Sequence, residues 1–270
     1  MALRIWSGFA AAALIASLAS AAHADDRDFC ADRPGKGTPT CTLDPGKAQF
    51  ETSLLDYSHS RDADTIDDNY LIGDSLLRYG LDGQTEARIG WTMYGVDRSK
   101  DRTSGMVDHA DGTGDVTLSI RRNLRHPDDK GTAIAVQPFV TLPVGKSTIG
   151  AGTWSAGFLV PFGADLSKDW RLELDPEVDA AADGDGHGRH LAYSLVAGLT
   201  YALDKAISLT GEVYGQRDRD PAQHQTLASL DLSAAYQLPD GNRQIDVSAY
   251  GGLTHATPRI ELVLGVALRF

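Results

Sequence analysis

The stretch "LAYSLVAGLTYAL", Leu191 to Leu203, puts Leu191, Tyr193, Leu195, Ala197, Leu199, Tyr201 and Leu203 on one side of an extended chain, with small or polar residues prevailing opposite. Period two means one oily face and one wet face. The run covers 13 residues, about twice the five or six usual for strands of soluble sheets. A strand crossing a bilayer needs about ten.

The pattern recurs along the chain. "EARIGWTMY" sets Ala87, Ile89, Trp91 and Met93 against Glu86, Arg88 and Thr92, and "DVTLSIRRNL" sets Val116, Leu118 and Ile120 against Asp115, Thr117, Ser119 and Arg121. "WRLELDPEVD" opposes Trp170, Leu172, Leu174 and Val178 to Arg171, Glu173, Asp175, Glu177 and Asp179. "TLASLDLSAAYQL" opposes Leu230, Leu232, Tyr236 and Leu238 to Ser229, Asp231, Ser233 and Gln237. Weaker candidates cover 47–57, 70–81, 132–142, 155–166, 206–215 and 244–253, and "ELVLGVALRF" (Glu261 to Phe270) supplies a terminal strand. The total is about twelve, an even number as bacterial barrels require. No helical period competes, and after Ala24 no run of 18 apolar residues offers a transmembrane helix.

The fold expected is therefore all-β: a transmembrane antiparallel β-barrel of about twelve strands over residues 46–270. Tight connections such as "LDGQ", "LSKD" and "PDGN" alternate with longer polar ones such as "SHSRDADTIDDN" and "VDRSKDRTSGMVDHADGTG". That alternation puts both termini at the periplasmic end and the longer loops outside. A secreted β-sandwich also alternates, but long strands, aromatic residues towards strand ends (Tyr79, Trp91, Tyr94, Trp154, Trp170, Phe270) and charges on the enclosed side favour the barrel. Pro138 and Pro161 fall inside expected strands, and each should mark a bulge, a strand end or an error of register.

The first residues state where the chain goes. Arg4, the apolar stretch "GFAAAALIASLASA" and the A-x-A site Ala22-His23-Ala24 read as a signal peptide over residues 1–24, cleaved near Ala24. In an exported chain, the pair Cys30 and Cys41 favours a local disulfide over a metal or redox pair, because the spacing is not C-x-x-C and no histidine is near. Residues 25–45 are thus expected as a disulfide-stapled segment on the periplasmic side, with a plug folded into the lumen as the alternative. The formal charge of −12 argues against nucleic acid, which requires a basic surface.

On the enclosed face this register collects Glu51, Asp74, Glu86, Asp115, Glu173, Asp175, Glu177, Glu212, Asp231, Asp246 and Glu261, against Arg78, Arg88, Arg121, Arg171 and Arg269. The acidic excess predicts a lumen of negative potential, preferring cations or neutral solutes to anions. The alternative is a cross-strand network that fills and stiffens the interior. The loop "DGDGHGRH" brings Asp183, Asp185, His187 and His190 together, but lacks a calcium-loop pattern and reads as an ordered outer loop. No metal or other cofactor is expected. His59, His109, His187, His190, His224 and His255 all fall in outer loops, and none is spaced to a nucleophile, so an outer-membrane lipid hydrolase or deacylase is the weaker alternative. A structural or adhesive barrel is a third class.

The ordered phrases "CADRPGKGTPTCTLDPGKAQFE", "LLRYGL", "EARIGW", "GDVTLSIRRNL", "QPFVTLPVG", "GAGTWSAGFLVPF", "PEVDAAADGDGHGRHLAYS" and "ATPRIELVLGVALRF" resemble a bacterial outer-membrane, transporter-like family labelled after the meta-cleavage (MetA) pathway of phenol degradation. The resemblance implies a Gram-negative outer-membrane barrel passing small molecules, with aromatic or other hydrophobic compounds suggested by the label alone, and it brings no catalytic motif. Phe270 resembles the C-terminal signature read by the outer-membrane assembly machinery. Outer-membrane lipid, that machinery and small solutes are the partners implied.

Overall fold

The computed structural model describes residues 27–270; the signal peptide and its cleavage point lie outside the described residues. The strands are β1 (Ala48–Arg61), β2 (Thr65–Gly80), β3 (Thr85–Asp101), β4 (Val107–Gly112), β5 (Val116–Arg125), β6 (Thr132–Leu142), β7 (Ser155–Leu159), β8 (Phe162–Asp165), β9 (Trp170–Ala182), β10 (Arg189–Ala202), β11 (Ile207–Arg219), β12 (His224–Gln237), β13 (Arg243–Gly252) and β14 (Ile260–Arg269). Apart from β4 with β5 and β7 with β8, neighbours in sequence pair antiparallel, and β14 returns to β1, so the barrel closes; β4 pairs with β3 alone.

These elements make a twelve-stranded barrel because two of its staves are interrupted. β4 and β5 hold one register against β3, with Gly95 opposite Gly112 and Trp91 opposite Val116, so they are the outer and inner parts of one stave. β7 and β8 both lie between β6 and β9, and the break between them falls at Val160-Pro161. Pro161 thus occupies the gap where no ladder donor is asked of it, while its carbonyl still accepts from the Ala135 N–H at 2.9 Å. Pro138 stays opposite Phe158 of β7, but the pairing of β6 with β5 skips from Phe139 to Val136. A missing N–H is tolerated on one side of the strand and not on the other.

Outward residues of the closing stave and its neighbours are apolar and exposed: Leu262, Leu264, Val247, Leu232, Leu199 and Leu195 are each at least 40% open. Across the wall the inward residues of the same strands are buried and largely polar: Asp246, Ser248, Asp231, Ser233 and Glu212. An apolar belt of this extent is tolerable only against lipid. Trp170 packs on Tyr201 at the end of the barrel with the short turns (centroids 4.8 Å) and Tyr57 on Tyr70 at the other (5.0 Å), where amphipathic rings mark interfaces.

The stretches "SHSRDADTIDDN" and "VDRSKDRTSGMVDHADGTG", expected as long loops, are mostly ladder. β1 and β2 run on to Arg61 and Thr65, and β3 and β4 form a projecting hairpin. Beyond the membrane both strand faces are wet, so the hydrophobic period that reveals a strand vanishes, while the backbone pairing does not. Its cross-strand bonds are polar: Tyr57, His59 and Arg98 all reach the Asp68 carboxylate, at 2.9, 2.8 and 3.1 Å.

Candidate functional site

The site is the lumen, and the N-terminal segment lies inside it, in the plug arrangement and not below the barrel. From Asp32 to Leu43 the chain is hydrogen-bonded to inward side chains of β1, β2, β3, β5, β9, β11, β13 and β14. The N–H groups of Asp32 and Arg33 donate to Glu51 of β1 (2.9 and 3.2 Å), those of Lys36 and Gly37 to Glu212 of β11 (2.9 and 2.8 Å), that of Thr38 to Asp175 of β9 (2.9 Å) and that of Leu43 to Glu86 of β3 (3.1 Å). The Pro34 carbonyl accepts from Ser248 and Tyr250 of β13 at 2.7 and 3.0 Å. A coil buried without regular structure must find partners for its backbone groups. Here carboxylates of the barrel supply most of them.

The Cys30–Cys41 disulfide closes the segment into a loop. It aims two carbonyls at the wall: that of Cys30 accepts from Arg78 and Gln49 (2.8 and 3.0 Å), and that of Cys41 from Arg121 (3.2 Å). Close approach requires glycine in the wall. A Cβ on Gly80 would stand 2.1 Å from the Asp44 carbonyl oxygen, and one on Gly265 would stand 2.1 Å from Arg33 Nη2.

Two walls of opposite character result. On β2, β3 and β5 the guanidinium groups of Arg78, Arg88 and Arg121 are almost wholly buried. Their charges are matched by three carboxylates: Arg78 reaches Glu51 and Glu86 at 3.0 Å each and Asp32 at 3.1 Å, Arg88 reaches Glu86 at 2.7 Å and also Asp32, and Arg121 reaches Asp32 at 2.9 Å. Burial alone would raise the Asp32 carboxyl, but Arg121, Arg88 and Arg78 outweigh it and hold Asp32 well below the usual carboxylate range.

The arc from β9 to β14 is acidic. It carries Glu173, Asp175, Glu177 and Asp179 on β9, Glu212 on β11, Asp231 on β12, Asp246 on β13 and Glu261 on β14. Asp246 pairs with Arg33 at 3.0 Å and Glu261 with Lys36 at 3.2 Å, both bases coming from the N-terminal segment. Glu173, Asp175, Asp179 and Asp231 each keep one buried oxygen without a protein partner. Between segment and acidic wall lies a cavity of about 190 Å³ lined by Gly35, Gly37, Glu173, Thr210 and Glu212.

Of the residues expected in the lumen from sequence, Glu86, Arg88, Arg121, Asp175, Glu212, Asp231 and Asp246 are buried inside the barrel. Arg171 sits at the rim of the barrel that carries the short turns, pairing with Asp129 (2.7 Å) and Asp165 (2.6 Å). Asp115 stands at the interruption between β4 and β5, where it accepts from the N–H groups of Gly145 and Ala151 (3.0 and 2.8 Å) and fastens the loop after β6. Arg269 donates to the Arg27 carbonyl at 2.7 Å and lies under Phe29. Asp32, Arg33, Lys36 and Asp129 were not legible as site residues, since none lies in an alternating strand. The available signal was a charged, proline- and glycine-rich loop stapled next to a strand rich in inward polar groups.

In the loop "DGDGHGRH", His190 stands 2.8 Å from Asp183 and 3.0 Å from Asp218, and Gly184 donates to Asp220 at 2.6 Å. The histidine and its carboxylates are engaged with one another. Among the described residues no group of three or more His, Cys, Asp or Glu is arranged to hold a metal.

The model of the family described as "Putative MetA-pathway of phenol degradation" matches residues 31–270, which takes in the luminal segment as well as every strand. The chain belongs to this family. Among solved structures, the COG4313 outer membrane channel from Pseudomonas putida F1 superposes with a TM-score of 0.69 at 15% identity, covering 88% of this chain and 99% of that one. The transport unit of the autotransporter AIDA-I from Escherichia coli gives 0.50 at 8% identity, covering 83% and 90%. Both likenesses are of fold. No curated protein matches the chain.

Proposed function

We propose that this family member is a passive outer-membrane channel for small molecules, with residues 27–47 as its constriction and the β9–β14 wall as its selective surface. The observation that carries the reading is the lumen itself: a closed barrel, apolar outside, whose interior keeps carboxylate oxygens free of protein partners beside a tethered, non-regular segment. A barrel filled only for stiffness would pair its interior groups, as the Arg78 and Arg121 guanidinium groups are paired with Glu51, Glu86, Gln137 and Asp32. Twelve strands lie between barrels filled by side chains and those that leave an open channel, so a narrow, selective passage fits the size. The Pseudomonas putida outer membrane channel supports this reading by its shared fold, and the family's phenol-degradation label points to aromatic solutes.

Export through the signal peptide and cleavage near Ala24 belong to the same proposal. So does recognition of Phe270 by the assembly machinery: its ring is 59% exposed while its backbone pairs with Ala48. No covalent step is required, and we read the protein as a non-enzymatic pore.

The test is conductance of the refolded protein in planar bilayers, followed by uptake of neutral and aromatic solutes into liposomes. Discrete conductance with cation preference is expected. Absence of both conductance and solute entry, in the full mature chain and in one lacking residues 27–44, overturns the channel reading.

A further inference from the structure

Lys36 is held in an unusual setting for a luminal base. Its backbone N–H and that of Gly37 are fixed to the Glu212 carboxylate on β11, and the side chain runs along the neighbouring wall to β13 and β14. There its ammonium stands 3.2 Å from Glu261 Oε2, 4.1 Å from the centroid of the Tyr250 ring and 5.8 Å from that of Tyr214. Tyr250 is buried, and its hydroxyl is fixed on the Pro34 carbonyl, so the ring face is presented in a set orientation. A carboxylate beside two ring faces, in surroundings with surplus negative charge, is the arrangement that recognises an organic ammonium: the ring quadrupoles attract the cation and accept its apolar carbons. An ordinary luminal ion pair needs the carboxylate and not the rings.

We propose that Glu261, Tyr250 and Tyr214 form a binding site for small organic ammonium ions, which the chain's own Lys36 fills as a tethered occupant. An arriving alkylammonium competes with Lys36 for the same carboxylate and ring faces. Displacing Lys36 removes one anchor of the luminal segment, so occupancy of the site and position of the segment are linked. The site stands on this geometry alone; its use by a passing solute rests on the channel reading.

A tethered competitor acts at an effective concentration in the millimolar range or above, so its removal strengthens binding of the free ligand by roughly tenfold. The test is saturation-transfer NMR of ethylammonium with the detergent-solubilised mature protein, with ethanol as the neutral control and heat-modifiable gel migration to verify the folded barrel. Lys36→Ala should bind ethylammonium roughly tenfold more tightly than the native chain and should not bind ethanol, whereas Lys36→Arg should resemble the native chain. Adding Glu261→Gln or Tyr250→Leu to Lys36→Ala should abolish the gain. Equal binding by the native chain and Lys36→Ala, binding by neither, or a gain that survives both additional substitutions overturns the proposal. None of these readouts depends on conductance, so a closed pore and a missing site are told apart.

Discussion

At the scale of single residues, Asp32 is the hinge of the arrangement, because one carboxylate from a coil joins three buried guanidinium groups from three strands. Removing one member of such a cluster leaves a buried charge uncompensated, at a cost of about 3–5 kcal/mol. Asp32→Asn is expected to loosen the luminal segment without opening the barrel wall, raising conductance at pH 7 while heat-modifiable migration is retained. The pH response has a definite sign. Asp32 has a folded-state pKa below the unfolded value of about 3.9, so its stabilisation is complete above that value and is lost only as pH falls through the folded one. Conductance of the native chain should therefore stay unchanged by this group between pH 7 and pH 4 and rise only in stronger acid. A rise in strong acid of the same size in Asp32→Asn as in the native chain would deny Asp32 this role. Gly265 offers a second single-residue test. Gly265→Ala places a methyl where the Arg33 guanidinium lies, so Arg33 has to shift from its position on Asp246 and Ser53. A gain in conductance is expected, smaller than for Asp32→Asn because Arg33 pairs with one carboxylate whereas Asp32 joins three guanidinium groups.

At the scale of elements, the stapled loop and the staves behave differently. Closing a loop of this separation removes somewhat under ~3 kcal/mol of freedom from the detached segment, which in an already folded barrel is the difference between a docked and a wandering coil. The double variant Cys30→Ser, Cys41→Ser is thus expected to raise the open fraction, seen as longer open dwell times, with strand content by circular dichroism unchanged. Unchanged dwell times would show that the side-chain anchors suffice. The staves were legible because each must place apolar residues on lipid at every second position. Leu191 to Leu203 states that rule in one reading, and Pro161 announced the break between β7 and β8. What could not be read were the parts that lipid does not discipline: the hairpin of β3 and β4 above the membrane, where both faces are wet, and the course of residues 27–47. That course depends on pairings between Arg33 and Asp246, or Lys36 and Glu261, separated by more than two hundred positions. Parity along β13 and β14 put those two acids inside, but nothing local says which base arrives.

At the scale of the molecule, the lumen is divided by charge across its width, and the division decides which part can select. The wall of β2, β3 and β5 is saturated by Asp32, Glu51 and Glu86, so its arginines attract no passing anion. The opposite wall keeps Glu177 and Asp179 adjacent on one face of β9, with Asp231 across from them on β12, while Arg33 and Lys36 of the luminal segment pair with Asp246 and Glu261. In the channel reading, a solute passing along this wall meets the field of these acids. Reversal potentials in a potassium chloride gradient should give permeability to K⁺ above that to Cl⁻. Screening sets the salt dependence: a potential reaching about 10 Å at 0.1 M shrinks to about 3 Å at 1 M, so the preference should fall as salt rises. Glu177→Gln with Asp179→Asn should bring the ratio towards unity at low salt without altering the open fraction, because neither side chain anchors the segment. Substitutions on the saturated wall should do the converse, changing the open fraction and leaving the ratio nearly fixed. An anion-preferring pore, or a cation preference indifferent both to salt and to the β9 acids, would place selection elsewhere in the barrel.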